Sequence, residues 1–188
     1  MKTASLFLLL VFSLQLVAQT DKYAGVYACN QKGKAHFFSA SPLEDIEANA
    51  NDATMIVNTL DKSVSAKVII TSFVFKDKLM REHFNENYLE SDKYPNAILK
   101  MVIQENIDFT KDGVYEVTLK GTLEMHGVKQ EREIKGKLHI KDGQPVRATS
   151  TFNVKLEDHK IKIPKAVLMN IAEVIKVDVD FALEKFQK

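Results

Sequence analysis

Between Val114 and Ile140 apolar and polar residues alternate with little interruption. Tyr115, Val117, Leu119, Leu123 and Met125 share one phase, and Glu116, Thr118, Lys120, Thr122 and Glu124 the other. After His126-Gly127 the alternation resumes, with Val128, Ile134, Leu138 and Ile140 set against Lys129, Glu131, Glu133, Lys135 and Lys137. Period-two alternation of this length predicts two half-buried antiparallel strands. A two-residue turn at His126-Gly127 places Met125 opposite Val128, then Glu124 opposite Lys129, Lys120 opposite Glu133 and Glu116 opposite Lys137. Three opposite-charge pairs on the outer phase favour that register. Glycine suits the second turn position, where φ is positive, and histidine tolerates positive φ better than most residues.

The same reading extends to the rest of the chain. Tyr23 to Asn30 and Lys34 to Ala40 predict a first hairpin. Ser41-Pro42-Leu43-Glu44-Asp45 has the chemistry of a helix start, with a helix of one or two turns after it. Strands are expected over Ala53 to Leu60, Ser63 to Phe75 and Ala97 to Phe109. Between the last two, Asp77 can cap a helix to about Tyr88, whose apolar stripe is Leu79, Met80, His83, Phe84 and Tyr88. Lys111-Asp112-Gly113 and Lys141-Asp142-Gly143 read as three-residue hairpin loops. Val146, Ala148, Ser150, Phe152 and Val154 form the next inward face. Pro164 to Ile171 reads as a short helix, and Val174 to Leu183 as the last strand.

Long alternating strands joined by tight hairpins imply an all-β fold: an antiparallel meander of about eight or more strands, with short helices, closed into a barrel that has no edges. No run of strand-helix-strand units points to a parallel sheet. About 12 residues at roughly 3.3 Å each span about 40 Å, and a tilt near 40° leaves roughly 30 Å along the axis. Such a lumen is either filled by large side chains or left as an elongated apolar cavity. If open, its expected lining is Phe73, Phe75, Phe84, Tyr88, Leu99, Met101, Ile103, Tyr115, Val117, Leu119, Phe152, Val177 and Phe181, with Arg132 as the polar contact.

Composition narrows the function classes. Lys2 followed by the apolar run Leu6 to Val17 and Ala18 reads as a secretory signal peptide over residues 1–19, too short for a membrane span. Residues 20–188 then form one barrel domain. Losing Lys2 leaves 25 of the 26 basic residues against 25 acidic ones, a neutral balance with no electrostatic footprint for nucleic acid or for a membrane surface. Cys29 is the only cysteine, so no internal disulfide forms; it is either a small buried thiol or a lipid-modified one. No G-x-S-x-G and no glycine-rich phosphate loop occurs. His36, His83, His126, His139 and His159 show no i, i+2 or i, i+4 pairing, so the chain carries no metal-ligand spacing and implies no cofactor.

The anomaly is polar residues on the inward phase: Glu105, Gln130 and Arg132. The predicted registers set Arg132 between Gly121 and Phe152, and Gly121 opposite Ile103. An inward Arg132–Glu105 ion pair then spans side-chain-free Gly121 and reduces the cost of burying either charge. The competing readings are a bulge or strand end that lets both groups reach water, and a contact for a ligand head group.

Gly121-Thr-Leu-Glu-Met-His-Gly-Val-Lys129 resembles the strand-turn-strand signature of the YceI-like family. His83-Phe-Asn-Glu-Asn-Tyr-Leu-Glu-Ser-Asp-Lys-Tyr-Pro95, Ile161-Lys-Ile-Pro164 and Ile175-Lys-Val-Asp-Val-Asp-Phe181 are similar to its other segments, in order, over roughly Lys34 to Leu183. Gln130-Glu131 departs from the proline expected soon after the turn. The resemblance implies a lipocalin-like antiparallel barrel, exported to the periplasm, whose lumen holds a long isoprenoid or other lipid chain. It brings no catalytic residues. The expectation is therefore a periplasmic or secreted, non-enzymatic protein that stores or transports a long-chain apolar lipid such as a polyisoprenoid or fatty-acyl chain. It needs no nucleic acid and no membrane span, and a homodimer is compatible with the sequence. The alternative is a structural or interaction barrel with a filled lumen that works through its outer surface.

Overall fold

The computed structural model of the chain describes residues 25–29, 33–40, 45–163 and 171–186. Among these residues the strands are β1 (Val26–Ala28), β2 (Gly33–Ser39), β3 (Ile46–Asn58), β4 (Ser63–Ile69), β5 (Val74–Phe75), β6 (Asn96–Ile103), β7 (Gly113–Met125), β8 (Val128–Lys141), β9 (Gln144–Lys155), β10 (Val174–Ala182) and β11 (Glu184–Lys185), and an α-helix, α1, spans Lys78–His83. The β7–β8 hairpin has the register that its charges demand. Met125 pairs with Val128, and the Lys120–Glu133, Lys129–Glu124 and Lys137–Glu116 ion pairs form at 3.1, 3.5 and 3.1 Å. His126 and Gly127 take φ of 52° and 68°, the primed turn that matches strand twist.

Antiparallel pairing runs β3-β2-β10-β9-β8-β7-β6-β4 and returns to β3, an eight-stranded closed barrel. Inward phases of the eight barrel strands meet in one core, including Ala48, Ala50, Val57, Ile103, Ile134, Leu138 and Phe181. A satellite cluster of Ile70, Leu89 and Ile161 closes the end at the His126-Gly127 turn.

Several predicted elements are corrected. β1 does not form a hairpin with β2: Tyr27 pairs with Val57 on one side and Lys185 on the other, while β2 lies between β3 and β10. The long β3 offers one edge to β2 over its first half and to β1 over its second. The start signal at residues 41–44 lies outside the described residues, and the chain is already in β3 by Ile46, where Ala48 and Ala50 are fully buried. Ser63 to Phe75 is not one strand. A 3-10 turn at Ile70–Ser72 sends Ile70 into the satellite cluster, and β5 then pairs with β3. The expected strand to Phe109 stops at Ile103. Beyond it the Glu105 carboxylate accepts the Thr118 N–H at 2.8 and 3.0 Å, replacing a ladder partner, so residues 104–112 connect β6 to β7 in place of a three-residue loop. This shift puts Met101, not Ile103, opposite Gly121, and Ile103 opposite Leu119.

Asp142-Gly143 is a two-residue turn, with φ of 52° and 69°, not a three-residue loop. The register shifts by a bulge beside it, between His139–Arg147 and Ile140–Pro145. Pro145 is consequently buried and Val146 faces solvent. Described pairing between β8 and β9 ends at Gly136–Ser150, so Arg132 has no Phe152 partner. The Pro164 helix lies almost wholly outside the described residues, as do residues 1–19. Among the described residues no helix is long and apolar enough to cross a membrane.

Candidate functional site

Helix α1 begins where Asp77 accepts the Met80 N–H at 2.9 Å, a side-chain cap for an otherwise unsatisfied donor. It runs into a π turn at Phe84–Tyr88. Met80, Phe84 and Tyr88 thus follow at four-residue steps on the side that faces the barrel, and all three line a cavity. Leu79 departs from the expected stripe: it is exposed. His83 lies at the cavity margin, where its Nδ1 accepts from the Asn87 amide at 2.7 Å.

The cavity holds about 350 Å³, within the range of roughly 300–1,000 Å³ typical of small-molecule sites. Four phenylalanines build its wall beside α1. Phe37 stacks on Phe84 at 5.4 Å and meets Phe73 and Phe75 edge-on at 5.4 and 5.7 Å, while Phe75 lies 5.0 Å from Phe84. Offset and edge-on ring pairs stabilise beyond their buried area, which fixes a stiff apolar wall.

Nine predicted residues line this space: Phe73, Phe75, Phe84, Tyr88, Leu99, Leu119, Phe152, Val177 and Phe181. Ile103 and Val117 instead border a separate void of about 40 Å³ deeper in the barrel, which Leu119 also touches. Met101 is packed in the core, and Tyr115 is turned toward the connection, where its hydroxyl donates to the Lys111 carbonyl at 3.0 Å. Neither borders either of these two spaces. Among the lining residues that sequence reasoning missed are Phe37, Met55, Val68, Ile70, Ile161 and Val179. Phe37 carried a usable signal, since it shares its phase with Ala35 and Ser39, both buried.

The Arg132–Glu105 pair does not form. Glu105 caps Thr118, and Arg132 Nη1 lies 3.3 Å from Asp158 Oδ2, with Nη2 donating to the Asn153 carbonyl. Gln130 donates to the Asp158 carbonyl at 2.6 Å. The inward polar residues of β8 therefore hold a 3-10 turn, Leu156–His159, across the barrel end. The β7–β8 turn joins the same closure: His126 Nδ1 donates to the His159 carbonyl at 3.0 Å, and its Nε2 lies 3.1 Å from Glu90. Hydrogen bonding from Lys93, then from His126, holds the Glu90 carboxyl below its ordinary value.

His159 is fully buried. Its Nδ1 donates to the Val128 carbonyl at 3.2 Å, and its Nε2 has no hydrogen-bond partner among the described residues. Burial is the main cause that holds this imidazole below its ordinary 6.5. A histidine kept neutral by the fold binds fewer protons there than in the unfolded chain. Its stabilising contribution is complete above pH 6.5 and is lost as pH falls from 6.5 through the lower folded value. Urea melts between pH 7.5 and 5 are expected to show a fall in stability that His159→Gln reduces; parallel pH profiles for the two proteins would contradict this.

A family model described as the YceI-like domain matches residues 26–183. The chain belongs to the YceI-like family. Among solved structures, a polyisoprenoid binding domain from Saccharophagus degradans, implicated in plant cell wall breakdown, superposes with a TM-score of 0.66 at 13% identity, covering 85% of this chain and 98% of that one. BcnA of Burkholderia cenocepacia gives 0.60 at 15% identity, covering 80% and 94%. A Campylobacter jejuni YceI protein gives 0.60 at 16%, covering 79% and 90%. No curated protein matches the chain. At these identities the structural likeness concerns the fold, and the YceI-like barrel is the frame in which the cavity sits.

Proposed function

We propose that this YceI-like protein is an exported, non-enzymatic binder that stores or carries a long apolar chain, polyisoprenoid or fatty-acyl, in the cavity behind α1. The observation that carries the reading is the cavity itself: about 350 Å³, walled beside α1 by Phe37, Phe73, Phe75 and Phe84 and elsewhere mostly by apolar side chains such as Leu99, Leu119, Phe152 and Phe181. Burial of a chain in such a space stabilises by about 0.8 kcal/mol per CH₂, so a tail alone supplies affinity with little demand on its head group. The Saccharophagus degradans domain, named for polyisoprenoid binding, supports the ligand class. The leader-like residues 1–19 support export.

The half of the barrel beyond Leu119 is packed by Ile103, Leu138 and Ile140, among others, around a void of only about 40 Å³, which favours the filled-barrel alternative for that half alone. Titration with a fluorescent fatty-acid analogue, displaced by a polyprenol, tests the reading. Saturable binding with displacement supports it. No binding of either lipid would move the function to the outer surface. N-terminal sequencing of protein from the periplasmic fraction tests export, and a chain beginning near residue 20 is the expected result.

A further inference from the structure

The barrel contains two apolar voids in series, about 350 and 40 Å³. Met55, Leu119, Ser150 and Val179 line both. These residues come from β3, β7, β9 and β10, strands spread round the barrel, so together they form a layer across the lumen. Met55 and Leu119 are buried. Ser150 Oγ donates to the Lys135 carbonyl at 2.6 Å, so its polar atom is satisfied within the wall.

Below this layer the small void is bordered by Val57, Val64, Ile103, Val117 and Leu138, with room left because Gly136 has no side chain and Ala148 has one methyl. A methyl built on Gly136 would lie 3.0 Å from the Thr149 carbonyl oxygen and 3.6 Å from Val117 and Ser150. Apolar voids of this kind stay dry. The end of an apolar chain would be better accommodated there than water, and the layer stands in its way. At the α1 side Tyr88 and His83 border the cavity with polar groups, whereas the Ser150 hydroxyl at the layer is already held by the wall. A chain with one polar end is therefore expected to enter tail first, with its head at α1 and its tail against Leu119.

We propose that Leu119 and Met55 form a floor that limits how far the tail enters, so the protein selects apolar ligands by chain length. This rests on the lipid-binding reading and adds the property that ranks the ligands.

The test is displacement of a fluorescent fatty-acid analogue by a homologous series of straight-chain fatty acids. For the wild-type protein, affinity is expected to rise roughly fourfold per methylene and then stop rising at a break point. Leu119→Ala joins the two voids and is expected to move that break point to longer chains, with a gain of roughly tenfold or more just beyond the wild-type limit. Met55→Ala, from another strand, is expected to move it in the same direction and serves if Leu119→Ala folds poorly. Adding Ala148→Val to Leu119→Ala refills the deep void and is expected to return the break point toward the wild-type length. A break point unchanged in both single variants overturns the floor while leaving lipid binding in place. Absence of binding at every length in the wild-type protein overturns both.

Discussion

Replacing Gly121 by alanine is expected to destabilise the protein by about 3 kcal/mol or more. Gly121 pairs with Met101 on β6 and Arg132 on β8, at a φ of 154°. A methyl group there would lie 2.2 Å from the Lys100 carbonyl oxygen and 2.9 Å from the Met101 Cα. Both are backbone atoms of the neighbouring strand, so no side-chain rotation relieves the clash. β6 and β7 must separate, and the ladder that closes the barrel loses its hydrogen bonds at that point. Denaturant unfolding measures the effect. A midpoint equal to that of the wild-type protein would mean that the two backbones do not approach so closely at Gly121.

Filling the cavity should remove binding without removing the fold. Ala66 on β4 lines the main space and is paired with Met55 and Leu99, two further lining residues. A phenylalanine there projects into open volume, so little overpacking strain is expected. It displaces ligand: losing burial of about three methylenes at about 0.8 kcal/mol each lowers affinity by roughly 50-fold. Ala66→Phe is thus expected to keep or raise its melting temperature while losing most of its affinity for a fatty-acid probe. Equal affinity in the two proteins would place the ligand elsewhere.

The parts of this structure that were legible in the sequence are those that depend on neighbours in the chain. Glu116, Lys120 and Glu124 find Lys137, Glu133 and Lys129 because a two-residue turn fixes every pair that follows it. Asp77 announces α1 because its cap is local. The misread parts depend on distant partners. Ile107 and Phe109 keep the alternation of a strand after β6 has ended, because they pack on the core from an irregular connection. β1 has only three residues, and its place is set by β3 and β11 rather than by the hairpin that its alternation suggested. Arg132 was misread in its partner, not its phase: Asp158 lies in a 3-10 turn crossing the barrel end, which no alternation reveals.

The cavity was the least legible feature. Phe73, Phe75, Phe84 and Phe152 could be recognised as inward, but an inward phenylalanine fills a lumen as readily as it lines one. What leaves space is the arrangement of the whole wall. α1 stands against the barrel with Phe84 stacked on Phe37, and Met55 and Leu119 meet at the floor. Such volume depends on the relative placement of eight strands and a helix, which the order of residues alone does not state.

The central claim is that the barrel holds a long apolar chain. Native mass spectrometry of the gently purified protein, followed by organic extraction, tests it most directly. A discrete extra mass, released as an apolar lipid and absent from Ala66→Phe, is the predicted result. A clean ligand-free mass, with no uptake of added polyprenyl or fatty-acyl lipids, would contradict the claim.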